Sequence, residues 1–405
     1  MAPFPAAVTG IGLVTPAGVG VADNWWRVLS GESTATVDAA LKDLPVEISC
    51  RVPEFPAADL GVPNPWQWDR FAQFALLATR EALRDAGLEP KQWRDSSRVA
   101  VIIGSGAGGT MTLEEQHAML LSEGADDVSA LTLPMGLLNM AAGQVAIAIG
   151  ARGPCFAPCS ACASGASAIG LGKELLRSGA ADVVIAGGTE APITRFYVSA
   201  FARMRALSRN TDARTASRPF DATRDGFVIG EGAGIVVLES EEHARSRGAR
   251  VRSRVLGYGA SADAHHLTSP HPEGLGATLA MKAALRDAGL EPSAIGYVNA
   301  HGTSTQGNDV VESTAIRELF GARVPVSSTK GVTGHLLGAA GAIEAAYAAL
   351  AAEQGSAPPT ANLKTPDPKI DLDLIHGAPR KLDRRVALSN SFGFGGQNAS
   401  LIFGA

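Results

Sequence analysis

The sequence predicts a mixed α/β fold built from two duplicated halves, and three observations predict it. The first is a repeat. Ala82-Leu83-Arg84-Asp85-Ala86-Gly87-Leu88-Glu89-Pro90 returns residue for residue as Ala284 to Pro292, an offset of 202 residues (284 − 82) in a chain of 405. Self-similarity at half the chain length is what one unit used twice leaves behind. The second is that a short apolar strand follows each copy, Val99 to Ile103 and then Gly296 to Ala300. The third is a helix rich in Gly and Ala in each half, one starting at Cys162 and one near His335. Such helices let other backbones approach closely, which suits two βα units sharing one core. Two unrelated surface helices with similar caps would explain the repeat, but not the matching elements after it. The boundary is placed near 252, giving an N-terminal half, 1–252, with the cysteine and a C-terminal half, 253–405, with two histidines.

Taken in order, Ala7 to Gly12 reads as a buried strand running into a Gly turn. Residues 20–65, rich in Pro and Trp, read as irregular. Asp69 to Ala86 reads as a helix: Phe71, Phe74, Ala75, Ala78, Ala82 and Leu83 recur at helical spacing, and Gly87 ends it. Val99 to Gly104 is a buried strand opening into Gly104-Ser105-Gly106-Ala107-Gly108-Gly109, a backbone that must come close to something. The Cys162 helix runs to about Arg177. Asp182 to Gly188 and Gly234 to Leu238 are strands, and 239–250 is a charged connector.

Composition narrows the class. Hydrophobic residues make up 46% and charged residues 19%, as in a soluble globular enzyme. A net charge of −5 offers no basic surface for nucleic acid. No apolar stretch reaches ~20 residues free of Gly and charge, so no membrane span is expected. Of four cysteines, Cys50 stands apart and the others fall between 155 and 162. That is no secreted disulfide framework, and reduced thiols in the cytoplasm are expected. Met1 to Pro5 has no basic region or long apolar run, so no secretory leader is expected.

The chemistry centres on Cys162. It precedes Ala163-Ser164-Gly165-Ala166-Ser167-Ala168-Ile169-Gly170, a poor surface helix, because Gly costs ~1 kcal/mol against Ala per position. Buried, such a helix would aim its free N–H groups and positive end at the sulfur, lowering the thiol pKa. Cys162 is therefore the candidate nucleophile. The bland reading is a small buried hydrophobe, the common fate of free cysteine. A third reading is metal binding, since Cys155, Cys159 and Cys162 have C-x3-C-x2-C spacing. That spacing resembles the cluster motif of radical S-adenosylmethionine enzymes, where three thiolates hold iron and sulfur. Pro158 and the small-residue helix look instead like a nucleophile turn. Two histidines supply partners: His301 at a strand end in Asn299 to Thr305, and His335 before the second small-residue helix in Lys330 to Gly341. Glycines flank both, and both lie in the half that lacks the candidate cysteine, which together points to catalysis. Asn390 to Asn398 is a Gly/Phe loop. His117, His243 and His376 have no such context and are assigned no role.

These motifs resemble those of the β-ketoacyl-acyl-carrier-protein synthases of the elongating type, in the thiolase superfamily. The resemblance runs from Val8 to Phe403. Cys-His-His separates the elongating type from the initiating type, which uses Cys-His-Asn, and from thiolases, which supply a second cysteine. It implies the thiolase fold, five layers α-β-α-β-α with two duplicated halves. It implies that Cys162 takes an acyl chain from the phosphopantetheine arm of an acyl carrier protein, with an oxyanion hole from the N–H groups of Cys162 and Phe394. His301 and His335 would then stabilise the enolate formed when a malonyl group loses carbon dioxide. Lys330, paired with Glu344, would supply positive potential, and Phe394 would be a gate. Thr303 and Thr305 would bind the phosphopantetheine. Ala107, Thr132, Phe392 and Glu344 complete the substrate-binding set, and Arg205 and Arg209 the carrier-docking set. No cofactor and no catalytic metal are implied. A structural monovalent cation near Asn299, Glu344 and Ser389 is.

Three departures from the family pattern bear on partner and substrate. Ala107 stands where a large aliphatic narrows the acyl site. Thr132, contributed across a dimer, stands where Phe is usual. The docking surface, usually basic, reads Asn64-Pro65-Trp66-Gln67-Trp68 and Asp126–Asp127, with only Arg205, and Arg209 nearby, keeping the charge. The chain thus resembles the ketosynthase of a type II polyketide system paired with a chain length factor. Within these, polyene-making, highly reducing systems such as that for ishigamide are most similar. The alternatives are a housekeeping fatty-acid homodimer, the iron–sulfur enzyme, and a non-catalytic partner subunit, the last opposed by the presence of Cys162, His301 and His335.

Overall fold

The computed structural model describes residues 3–405; Met1 and Ala2, which belong to the stretch read above for a leader, lie outside the described residues. The first half contains β1 (Ala6–Thr15), α1 (Val21–Ser30), α2 (Arg70–Ala86), β2 (Val99–Gly104), α3 (Thr110–Ser122), α4 (Thr132–Gly136) and α5 (Met140–Ile149). It continues through β3 (Cys155–Phe156), α6 (Ser164–Arg177), β4 (Val183–Glu190), α7 (Arg195–Arg203), β5 (Gly232–Ser240) and α8 (Glu241–Ser246). The second half contains β6 (Ser253–Ala262), α9 (Leu275–Ala288), β7 (Tyr297–Asn299), α10 (Gln306–Phe320), β8 (Pro325–Ser327) and α11 (Lys330–Thr333). After α12 (Ala340–Gln354) come β9 (Asp373–Leu374), β10 (Val386–Gly393) and β11 (Gln397–Gly404).

The strand orders show the duplication. The first half reads β1-β5-β4-β2-β3 and the second β6-β11-β10-β7-β8, with β9 added at its edge. Directions match too: the first two pairings in each half are antiparallel and the next two parallel. The halves join where β1 and β6 pair antiparallel over Ala6–Val255, Ala7–Arg254 and Val8–Ser253. Helix α2 covers the outer face of one half, α9 covers the other, and α6 and α12 lie between and touch strands of both. Five layers result.

The repeated nine-residue word has a physical cause. Strand β1 shifts register between Val8 and Gly10, and β6 between Val255 and Gly257. At each bulge the freed N–H, of Ile11 or Tyr258, is taken at 2.9 Å by an aspartate of the word, Asp85 or Asp287. Glycines on both sides let the helix in. A Cβ on Gly10 or Gly12 would overlap the carbonyls of Ala82 and Ala78, and one on Gly257 or Gly259 those of Ala284 and Ala280. Both words end in a left-handed glycine cap, Gly87 at φ 67° and Gly289 at φ 65°. Gly12→Val is therefore expected to force β1 off α2 and cost about 3 kcal/mol or more, seen as lost soluble protein or a lowered chemical-denaturation midpoint.

The two inner helices cross through their glycines. A Cβ on Gly165 would stand 2.7 Å from the Ala342 N, and one on Gly341 2.9 Å from the Ala166 N. Helix α12 is buried from Ala340 to Ala352, which explains its near-total reduction to Ala. The Gly run after β2 behaves as expected, with Gly104 packed on the Ser164 backbone and Gly109 on Met135 and Gly136.

Two expectations need correction. Residues 20–65 are not irregular throughout. Helix α1 buries Trp25 and Val28, and Ile48–Cys50 joins Thr36–Val37 and Ile229–Gly230 in a small sheet. The Pro-rich signal belongs to the later part, where 51–65 is loop and short turns. The connector at 239–250 contains α8, capped by Ser240, whose hydroxyl accepts the His243 N–H. His243 there lies 2.5 Å from Glu239, a structural pairing. Among the described residues no helix is long and apolar enough to cross a membrane.

Candidate active site

Four loops bring the predicted residues together. Cys162 sits in the turn before α6, two residues ahead of its first residue, Ser164. His301 follows β7, His335 follows α11, and Phe394 lies between β10 and β11. Each turn uses left-handed backbone: Ala161 at φ 48°, Gly302 at 38° and Ser304 at 67°, Gly334 at 70° and Leu337 at 45°, Gly395 at 82° and Gly396 at 71°. Such conformations cost about 1–3 kcal/mol for a residue with a Cβ, and they cluster where side chains must be aimed.

The aimed groups meet. The His335 Nε2 is 3.1 Å from the Cys162 Sγ. The His301 ring lies edge-on to His335 with centroids 5.4 Å apart, and Phe392 packs at 5.7 Å from His301. His335 is pinned by its backbone, which donates to the Val228 carbonyl at 2.7 Å and accepts from the Gly230 N–H at 2.9 Å. His301 is held from two sides. Its N–H and that of Gly302 donate to the Glu312 carboxylate at 2.8 Å each. The Lys330 ammonium donates to the His301 carbonyl at 2.7 Å and stands 3.5 Å from its Nδ1.

Burial sets the protonation states. His301 and His335 are pushed well below the usual histidine range by burial first, then by Lys330. Both are neutral at pH 7. The Cys162 thiol is pushed up to about 12 by burial, with Lys330 and the Phe394 N–H pulling the other way and Glu190 reinforcing the rise. This corrects the expectation of a lowered thiol pKa. The helix does start two residues after the cysteine, but the sulfur lies in the core with Ile193, Phe227 and Leu337, not in water at the helix end. A neutral thiol against a neutral imidazole is the resting pair.

Cys162, His301 and His335 line one cavity of 360 Å³ with Ala107, Thr303, Thr305, Phe392, Phe394 and Arg205. The Thr303 and Thr305 hydroxyls are 2.9 Å apart. Lys330 and Glu344 form a buried ion pair behind the histidines. Glu344 therefore does not reach the cavity, which corrects its place in the substrate-binding set. Arg209 is exposed and borders a separate polar cleft with Arg218 and Lys364, so it does not share the cavity with Arg205. Thr132 does not line the cavity of its own chain. It starts α4, its hydroxyl donating to the Ser129 carbonyl at 2.6 Å, on a surface with exposed Leu133, Leu137 and Leu138.

Sequence reasoning missed Tyr197 and Phe201 of α7 and Met204 just after it, which line the same cavity, and Glu190 at the end of β4. The signal was present as i, i+4, i+7 spacing and as one acid closing an apolar strand. Glu190 accepts from the Ser105 hydroxyl at 2.6 Å and from the N–H groups of Gly106, Ala107 and Gly338 at 2.8–3.0 Å, tying the halves together.

The cysteine cluster does not assemble. Cys155 and Cys159 are exposed, while Cys162 is buried. Among the described residues no three His, Cys, Asp or Glu side chains are grouped to hold a metal. The cation implied by resemblance is a separate matter. Asn299 and Ser389 are register partners on neighbouring strands, and Asn299 Oδ1, Ser389 Oγ and Glu344 Oε2 are buried without hydrogen-bond partners. Oxygen donors left unsatisfied in this way fit a monovalent cation.

Models of the β-ketoacyl synthase family match this chain, the N-terminal domain over residues 4–244 and the C-terminal domain over 252–364. The chain belongs to the β-ketoacyl synthase family. It is 46% identical over 411 residues to 3-oxoacyl-[acyl-carrier-protein] synthase 2 of Rhizobium meliloti, covering 98% of this chain and 97% of that one. It is 44% identical over 402 residues to the synthase of the same name from Staphylococcus aureus strain COL, again covering 98% and 97%. Among solved structures it superposes on the ishigamide ketosynthase/chain length factor with a TM-score of 0.92 at 33% identity, over 100% of both chains. A β-ketoacyl synthase from Burkholderia phymatum gives 0.91 at 34% identity, over 99% of both chains. A ketosynthase from Xenorhabdus doucetiae in complex with its chain length factor gives 0.84 at 30%, over 99% of this chain and 98% of that one. The five layers are thus the thiolase fold, and this β-ketoacyl synthase is a condensing enzyme of the acyltransferase type.

Proposed function

We propose that this chain is a β-ketoacyl-acyl-carrier-protein synthase of the elongating type. The observation that carries the proposal is the buried Cys162–His335 contact at 3.1 Å with His301 packed edge-on behind it. The Cys162 sulfur attacks the thioester of a carrier-bound acyl chain, its proton leaving with the phosphopantetheine thiol. The oxyanion is held by the N–H groups of Cys162 and Phe394. A malonyl thioester then enters past Thr303 and Thr305. Its carbon–carbon bond breaks, carbon dioxide leaves, and the enolate oxygen takes hydrogen bonds from the neutral imidazoles of His301 and His335. The carbanion attacks the acyl-Cys162 carbonyl, the carbon–sulfur bond breaks as the β-ketoacyl product forms, two carbons longer, and the departing thiolate takes a proton from solvent to restore the resting thiol. Lys330, neutralised by Glu344, anchors the His301 loop. A monovalent cation at Asn299, Ser389 and Glu344 would satisfy those oxygens and stiffen the floor of the site. The halves meet near residue 252. The enzyme works in the cytoplasm and takes no cofactor beyond the phosphopantetheine arms of its carriers, which dock by Arg205 and Arg209. Intact-mass spectrometry after incubation with acyl-carrier, then malonyl-carrier, tests this. An acyl adduct on this chain that malonyl-carrier discharges is expected, and no adduct would overturn it.

A second reading concerns the partner. Asp126 and Asp127 stand at the head of an exposed turn, beside a surface with exposed Leu113, Leu120, Leu121, Leu133 and Leu137. An acyl carrier is usually acidic, so acids on its docking face oppose it. A non-identical chain bearing Lys or Arg at that edge removes the conflict, and with Ala107 leaving the acyl side open it would shape what the site accepts. This reading makes the enzyme a heterodimer with a chain-length-factor-like homologue, extending medium or long unsaturated chains in a polyketide pathway. The rival is a housekeeping fatty-acid homodimer, and the 44–46% identity to 3-oxoacyl-[acyl-carrier-protein] synthase 2 supports its condensing activity without bearing on the partner. Ala107→Phe separates them in part. It is expected to shorten the products without changing the rate with a short acyl starter. A stable homodimer that elongates saturated chains at full rate, indifferent to Ala107→Phe, would overturn the heterodimer reading.

A further inference from the structure

We infer that Tyr197 is the specificity-determining wall of the acyl side of the cavity, a steric stop that sets how long a chain Cys162 can carry. The inference rests on the proposed condensing activity. Helix α7 and its C-terminal cap turn Tyr197, Phe201 and Met204 toward the cavity, while Val198 and Ala202, on the other face of the helix, are buried in the core. Helical rise spaces these three along the helix axis, Tyr197 about 6 Å from Phe201 and about 10 Å from Met204. Met204 neighbours Arg205 at the mouth. Phe201 stands by the nucleophile, its ring 6.4 Å from Phe394 and 5.4 Å from Phe227, which in turn packs 5.1 Å from His335. Tyr197 is the end of this aromatic wall farthest along α7 from Arg205, 6.3 Å from Phe201 and 6.0 Å from Phe196. Glu190 and Ala107 line the same cavity. Ala107 is small, so Tyr197 is the bulky group there. Its backbone is fixed: the Tyr197 N–H donates to the Thr194 hydroxyl at 3.2 Å, and that hydroxyl donates to Glu114 at 2.5 Å. Burial, with Glu190 and Glu114 nearby, holds the phenol above its usual range and keeps it uncharged against an apolar chain.

Removing the ring opens room where the chain ends, and each methylene gained by an apolar site is worth roughly tenfold or more in kcat/KM. The experiment measures kcat/KM for condensation with a series of saturated acyl-carriers of rising length, for the parent enzyme, Tyr197→Ala and Tyr197→Phe. Tyr197→Ala is expected to raise the long-to-short ratio by about tenfold or more. Tyr197→Phe, which keeps the ring, is expected to stay within about twofold of the parent. Matching thermal midpoints establish that the variants fold, which the part-exposed position of Tyr197 favours. An unchanged ratio in Tyr197→Ala overturns the inference, and so does Tyr197→Phe moving as far as Tyr197→Ala. A parent enzyme that fails to condense any acyl-carrier would instead overturn the proposed function, so the two failures are distinguishable.

Discussion

Cys162→Ala is expected to abolish condensation, by more than about a thousandfold, because the covalent intermediate has nowhere else to form. The neighbouring thiols are no substitute. Cys155 and Cys159 are exposed, and the imidazole at 3.1 Å belongs to Cys162 alone. The variant should also lose labelling by a thiol-directed ketosynthase inhibitor such as cerulenin. Peptide mapping of the acyl adduct is the measurement. An adduct on Cys159 or Cys155 in Cys162→Ala would sink the assignment. The raised thiol pKa adds a second expectation. Alkylation of the resting enzyme by iodoacetamide should be slow near pH 7 and accelerate as pH rises, because the thiolate is scarce until the pH approaches about 12.

His301→Ala and His335→Ala are each expected to slow release of carbon dioxide from malonyl-carrier by about a hundredfold or more, since each removes a donor from the developing enolate. Self-acylation of Cys162 should survive in part in both, most in His301→Ala, because the sulfur lies against His335. Decarboxylation at the parent rate in both variants would refute the role. The pH dependence follows from the lowered histidine pKa values. The folded chain binds no proton at these two rings where the unfolded chain does, below about pH 6.5. Stability therefore falls as pH drops through that value, and is fully present above it. Decarboxylation should lack an acid limb from these rings between about pH 6 and 7, because both are already neutral donors there.

What the sequence by itself determined was whatever a short stretch of chain can carry. The nine-residue repeat marked the duplication because the same strand–helix contact is built twice, with an aspartate closing each bulge. The small residues around Cys162 and His335 marked the two inner helices because α6 and α12 cross through glycines that no other residue can replace. The histidines were legible because glycines bracket them, supplying the left-handed turns that aim their rings. Tertiary structure decided the rest. The sequence motif promised an acidic thiol, and burial of the sulfur in the core reversed the direction. Glu344 belonged with the substrate by pattern, and the fold set it behind Lys330, out of reach of the cavity. Tyr197, Phe201 and Met204 kept a helical stripe in the sequence, but nothing local said whether the stripe faced solvent, core or cavity. Helix α1 was hidden by Trp and Pro nearby, since its stability comes from Trp25 and Val28 meeting a distant part of the chain. The physical reason is common to all of these. Backbone conformation responds to neighbours a few residues away, whereas pKa, depth and what a side chain faces depend on groups brought close by folding, as Cys162 and His335 are from 173 residues apart.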